Sequence, residues 1–165
     1  MTQPTSETIT FELHLLSEFW NTPPLATITL DGCEYFNGPV AAGSTVIKFT
    51  HTCAFGSPHR LTLDRQGKTD SEVLKNSDGT IVAEQFLTIE KIKIDGVDIK
   101  NIIWTYSINI PEYPEPWASE YVTAGNILEK EVIGATKFGH NGIWYLDFTS
   151  PFYIYIMQWM GGGLH

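Results

Sequence analysis

The feature that most constrains this chain is a period of two, repeated and cut off at regular intervals by Asp-Gly or Asn-Gly. In "TITFELHLL" (Thr8–Leu16), Ile9, Phe11, Leu13 and Leu15 alternate with Thr8, Thr10, Glu12 and His14. Side chains on a strand point to opposite faces in turn, so this segment reads as a strand with one buried face. "LATITLDG" repeats the pattern, with Leu25, Thr27 and Thr29 set against Ala26, Ile28 and Leu30. "STVIKFTHTC", "HRLTLDRQG", a long isoleucine-rich run from Thr80 to Ile110, "GIWYLDF" and "FYIYIMQW" are read as further strands. Five dipeptides punctuate them: Asp31-Gly32, Asn37-Gly38, Asp78-Gly79, Asp95-Gly96 and Asn141-Gly142. Asp and Asn tolerate positive φ and Gly favours it, so such pairs suit tight hairpins. Short strands with these turns predict an all-β fold, a single antiparallel β-sandwich over residues 1–165 with at most one short helix, placed in Ala118–Lys130.

Charge excludes some partners. The chain has 10 basic and 19 acidic residues, for a net charge of −9. No basic cluster offers the positive face that phosphate contacts or anionic lipid need, so neither nucleic acid nor membrane is an expected partner. The polar opening "MTQPTSETIT" is not a signal peptide, which predicts synthesis in a cytoplasm. Charged residues make up only 18% and aromatics 13%, a balance that suits a surface covered by another protein or by a flat-faced ligand.

Catalytic motifs are absent from the sequence. "GKT" at Gly67–Thr69 lacks the earlier glycine of a phosphate loop, because that position is Thr62. Cys33 and Cys53 form no C-x-x-C pair and are expected as buried free thiols. His51 and His59 flank a loop and could meet in space. Asp95 with Asp98, and Glu112 with Glu115, are the carboxylate pairs a glycosidase would draw on, although Asp-Gly acids ordinarily form turns. A calcium site built from Asp64, Asp70, Asp78, Asp95 and Asp98 at strand ends has no EF-hand spacing behind it, so the expectation is no cofactor and no catalytic residue.

The rings carry more signal. Trp104, Tyr106, Tyr113, Trp117, Tyr121 and Trp144 crowd the last third of the chain. Trp104 and Tyr106 fall on one face if "NIIWTYS" is a strand. Tyr113, Trp117 and Tyr121 sit in "PEYPEPWASEY", a segment stiffened by three prolines and read as a surface crossover loop. These six are the candidate ligand- or partner-binding residues. A pyranose stacks on a ring face while its hydroxyls seek polar partners, and a protein interface uses the same rings. Trp104 and Trp144 equally fit the filling of a sandwich.

Four stretches together have a familiar rhythm: "HRLTLDRQGKT", "DGTIVAEQFLTIEKIKIDGVDIKNIIW", "PEYPEPW" and "FGHNGIWYLDFTSPFYIYIMQW". They resemble β-sandwich domains of tailed-phage virion proteins of the tail-fibre and decoration type, and jelly-roll carbohydrate-binding modules of the xylan-binding kind. The resemblance implies a non-enzymatic virion component, mounted on capsid or tail and contacting other virion proteins, further copies of itself or host surface glycans. A free glycan-binding module is the alternative it implies, and a glycan-active enzyme a more distant one.

Overall fold

The computed structural model describes residues 3–163, with side chains as far as Trp159. In chain order the strands are β1 (Ser6–Glu18), β2 (Leu25–Leu30), β3 (Cys33–Pro39), β4 (Gly43–Ala54), β5 (Pro58–Gln66), β6 (Leu74–Lys75), β7 (Ile81–Ala83), β8 (Phe86–Ile94), β9 (Val97–Asp98), β10 (Ile108–Pro111), β11 (Val132–Ile133), β12 (Lys137–Phe138) and β13 (Gly142–Thr149). The helices are α1 (Lys100–Tyr106), α2 (Trp117–Thr123) and α3 (Phe152–Gly163).

One sheet runs β12-β8-β1-β4, with β9 added to β8, and the other runs β11-β10-β13-β5-β2-β3. Every strand pair in both is antiparallel. The two sheets share one apolar core. Ile9, Phe11, Leu13 and Leu15 of β1 are fully buried in it together with Ile28 and Leu30 of β2 and Leu61 and Leu63 of β5. Phe11 meets Phe148 of β13 across the gap, ring centroids 6.0 Å apart. This is the expected antiparallel β-sandwich, and the buried set is the one the period of two selects.

Two of the Asx-Gly pairs make two-residue hairpins. Asp31 and Gly32 have φ of 51° and 82° between paired Leu30 and Cys33. Asp95 and Gly96 have φ of 48° and 79° between paired Ile94 and Val97. Asp78-Gly79 lies in the turn joining β6 and β7. Asn37-Gly38 instead lies inside β3, and Asn141-Gly142 leads into β13.

The expectation of at most one short helix is corrected by α1 and α3. "NIIWTYS" is helical because Ile99, Ile102 and Ile103, at i, i+3 and i+4, are all buried against the core. "FYIYIMQW" is helical for the same reason: Phe152 is buried, and Tyr155, Ile156 and Trp159 at i+3, i+4 and i+7 pack beside it. The helix expected in Ala118–Lys130 is present as α2, one residue earlier and ending at Thr123.

At the open side of the sandwich, consecutive strands β3 and β4 form the edges of different sheets. Tyr35 of β3 ties them by stacking on Phe49 of β4, centroids 4.1 Å apart, and Phe49 stacks on Phe11 at 5.0 Å. Beside them His51 and His59 do meet, on the carboxylate of Asp31. His59 donates Nδ1–H to Asp31 at 2.6 Å and Nε2–H to the Ala54 carbonyl at 2.8 Å. Asp31 also accepts the Arg60 backbone N–H at 2.9 Å and lies 3.6 Å from His51 Nε2. Nδ1 of His51 is bonded to the Tyr35 hydroxyl. The two cysteines are free. Cys53 is buried, with its thiol pushed up to about 12, chiefly by burial. Cys33 is exposed, contrary to expectation, because it begins the outermost strand of its sheet just after the turn.

Candidate functional site

An open cleft of about 450 Å³ is lined by Tyr106, Asp147, Tyr155, Gln158 and Trp159. Three elements build it. Tyr106 is the last residue of α1, Asp147 lies on the outer face of β13, and α3 supplies the other three. Gly134 sets the end of α1. Its N–H donates to the Ser107 carbonyl at 3.0 Å, and a Cβ there would come within 2.4 Å of the Trp104 carbonyl oxygen. The backbone also has φ of 80° at this point, so glycine is required twice over.

The rings of Tyr106 and Trp159 stand at 74° to each other, centroids 6.3 Å apart, and form an angled wall. Asp147 is directly opposite Arg60 in the β13–β5 register. Arg60 therefore reaches it bidentately, Nε to Oδ1 at 2.7 Å and Nη2 to Oδ2 at 2.9 Å. The guanidinium lies 3.9 Å over the Tyr145 ring, which holds its plane. The carboxylate pushes the guanidinium's pKa up further, and the two opposite charges of the ion pair cancel. Burial pushes the Tyr155 phenol up, and its O–H stays a donor at neutral pH. The cleft thus offers two ring surfaces, the polar side chains of Tyr155 and Gln158, and an acid whose charge Arg60 cancels.

A second ring group lies on the proline-held segment. Trp117 and Tyr121, four residues apart on α2, stack with centroids 4.9 Å apart at 24°. His140 sits 5.7 Å from Trp117 and 5.3 Å from Tyr113. The Tyr113 hydroxyl donates to the Glu129 carbonyl at 2.6 Å, which fastens the loop after α2 to the rings. Beneath them Asn141 is anchored by the buried Arg65, whose Nη1 reaches Asn141 Oδ1 at 3.1 Å, and by Lys68 N–H at 2.9 Å. Burial and then the Lys68 ammonium lower the pKa of His140, so its ring is neutral where it meets Tyr113 and Trp117.

The six sequence candidates therefore separate. Tyr106 lines the cleft, while Tyr113, Trp117 and Tyr121 form the second group. Trp104 is 74% exposed, on a different side of α1 from Tyr106, because residues two apart on a helix diverge by about 200°. Trp144 is corrected outright: it is 1% exposed, on the inward face of β13, and reaches no outside partner. Asp147, Tyr155, Gln158 and Trp159 were missed because their segment reads as strands. The helical spacing of Phe152, Tyr155, Ile156 and Trp159 was the available signal.

Asp64 and Glu112 share the Gln66 side-chain amide, at 2.8 and 3.3 Å, and four other carboxylate candidates are engaged apart from one another. Asp95 accepts the Thr10 N–H, Asp98 the Lys100 N–H, Asp78 the Thr80 N–H and Glu115 the Ser119 hydroxyl. Among the described residues no group of three His, Cys, Asp or Glu side chains is placed to hold a metal ion. No helix among them is long and apolar enough to cross a membrane.

No protein-family model and no curated protein matches the chain. Among solved structures it is similar to vCBM60 in complex with galactobiose, at 9% identity over 85% of this chain and 97% of that one, with a TM-score of 0.47. None of the three comparisons points to a virion protein.

Proposed function

We propose that this β-sandwich is a non-catalytic glycan-binding module whose binding site is the cleft between α1, β13 and α3. The observation that carries the proposal is the angled Tyr106–Trp159 wall beside the neutral Arg60–Asp147 pair. A pyranose has an apolar face for a ring and vicinal hydroxyls that both donate and accept, which is the combination collected there. The volume suits one or two sugar rings. Asp147 is the sole acid among the lining residues, and hydrolysis of a glycosidic bond ordinarily uses two.

Trp159→Ala and Tyr106→Ala should each weaken retention on the bound polysaccharide about tenfold in affinity gel electrophoresis, roughly the loss of one stacked ring. Trp117→Ala should leave retention unchanged. Wild-type protein that is indifferent to a broad glycan array would defeat the reading, and so would retention that survives both cleft variants.

A second reading places the module on a phage particle, as a decoration or tail-associated component that assembles with other virion proteins or with itself. It is supported by the sequence resemblance and by the apolar side chains α3 leaves exposed, Tyr153, Ile154 and Met157. Native mass spectrometry of the protein and of purified particles tests it. A strict monomer absent from particles would count against it.

A further inference from the structure

The ring group on the proline-held segment has an environment unlike that of the cleft. Between Asn101 and Thr136 the chain carries five carboxylates, Glu112, Glu115, Glu120, Glu129 and Glu131, and a single cation, Lys130. All five glutamates are exposed. Among the described residues none of them has an ion-pair partner. The Glu129 carboxylate lies close enough to Tyr113 to help raise the phenol's pKa, second to burial, so the negative field reaches the rings.

Four side-chain donors on this segment are used by its own acceptors. The Ser119 hydroxyl donates to Glu115 at 2.7 Å, Thr123 to the Ser119 carbonyl at 2.8 Å and Asn126 to the Tyr121 carbonyl at 3.2 Å. Tyr113 donates to the Glu129 carbonyl. A sugar needs several convergent donors as well as acceptors, and these four are not free. Trp117, moreover, already stacks on Tyr121 and lies beside His140. What remains is exposed ring surface, 41% of Trp117 and 36% of Tyr121, on a segment whose glutamates have no ion-pair partner among the described residues. That combination fits a donor-rich cation lying over an aromatic ring.

We infer that Trp117 and Tyr121, with the surrounding glutamates, form a docking surface for an arginine-bearing segment of a partner protein. The surface is separate from the glycan cleft. Prolines 111, 114 and 116 restrict the unbound loop, so docking there loses little conformational entropy.

The test is isothermal titration of the whole protein with two synthetic decapeptides, decaarginine and decalysine, in 150 mM salt. The chain's net charge of −9 attracts both. Stacking on the rings should make decaarginine bind about fivefold tighter, and Trp117→Ala and Tyr121→Ala should each abolish that preference while leaving decalysine unchanged. Replacing Glu115, Glu120 and Glu129 by Gln together should weaken both peptides about tenfold. Equal binding of the two peptides, or a preference untouched by both ring variants, would reduce the effect to bulk charge and overturn the inference. Loss of polysaccharide retention in Trp117→Ala, with peptide binding intact, would reassign the surface to glycan and also overturn it.

Discussion

Trp144→Ala should lower the free energy of unfolding by about 3–5 kcal/mol, the range for removing a large aromatic from a closed core. Trp144 stands first among the fully buried side chains by volume. It lies on β13 between Asn109 of β10 and Leu63 of β5, so strands flank it and the backbone cannot collapse into the space it leaves. Its indole Nε1–H is buried without a hydrogen-bond partner among the described residues. Trp144→Phe, which keeps most of the volume and removes that orphan donor, should therefore lose far less than the alanine variant. Trp104→Ala, at an exposed position, should stay within about 0.5 kcal/mol of wild type. Urea denaturation followed by circular dichroism separates the three. The account fails if Trp144→Ala and Trp104→Ala have coincident midpoints.

Alkaline pH should unlatch the open side of the sandwich. Both ring nitrogens of His59 face pure acceptors, the Asp31 carboxylate and the Ala54 carbonyl, so the imidazole is held doubly protonated. Burial opposes this charge and is the largest single influence, but the Ala54 and Asp31 bonds together, helped by the charges of Asp31 and Glu7, leave the folded pKa raised. The stabilisation is complete below the ordinary histidine value of about 6.5 and is lost as pH climbs through the raised one. Asp31 behaves in the opposite sense. Burial pushes its pKa up, yet the Arg60 N–H, His59 and His51 leave it lowered. Its contribution is present above about 3.9 and is lost as pH falls through the lowered value. Stability from this cluster should thus be greatest between about pH 4 and 6.5 and decline on both sides. Asp31→Ala should cost about 2–3 kcal/mol at pH 6, since it orphans His59 and the Arg60 N–H and puts alanine at a φ of 51°. His59→Gln should flatten the alkaline limb, and a limb that persists unchanged would show that another group causes it.

The sandwich was legible because its strands keep a strict period of two over long stretches. β1 buries Ile9, Phe11, Leu13 and Leu15 and nothing out of phase with them between those positions. The helices were obscured by composition. Isoleucine, tyrosine and tryptophan favour strands, and in α1 and α3 they hid a spacing of three and four that tertiary packing then enforced. The ring group on α2 was visible as candidates, since three prolines hold Tyr113, Trp117 and Tyr121 on a segment that must lie at the surface. The cleft was not, because it needs Trp159 of a misread helix beside Tyr106, and an Arg60–Asp147 pair that exists only through the register of β5 and β13. Trp144 shows the converse: a tryptophan's residue type argues for binding, and its phase within the strand decides against it.

The unequal cysteines have a practical consequence. At neutral pH Cys53 is shielded from bulky electrophiles by burial and by a thiol held at about 12, whereas Cys33 is open to solvent. A maleimide fluorophore will therefore mark the wild-type chain at one position without any engineered handle. That position lies on β3, three strand spacings or roughly 14 Å across the sheet from the strand bearing Asp147. A dye there is near enough to report occupancy of the cleft by energy transfer from a labelled sugar, and sits outside the residues that would bind it.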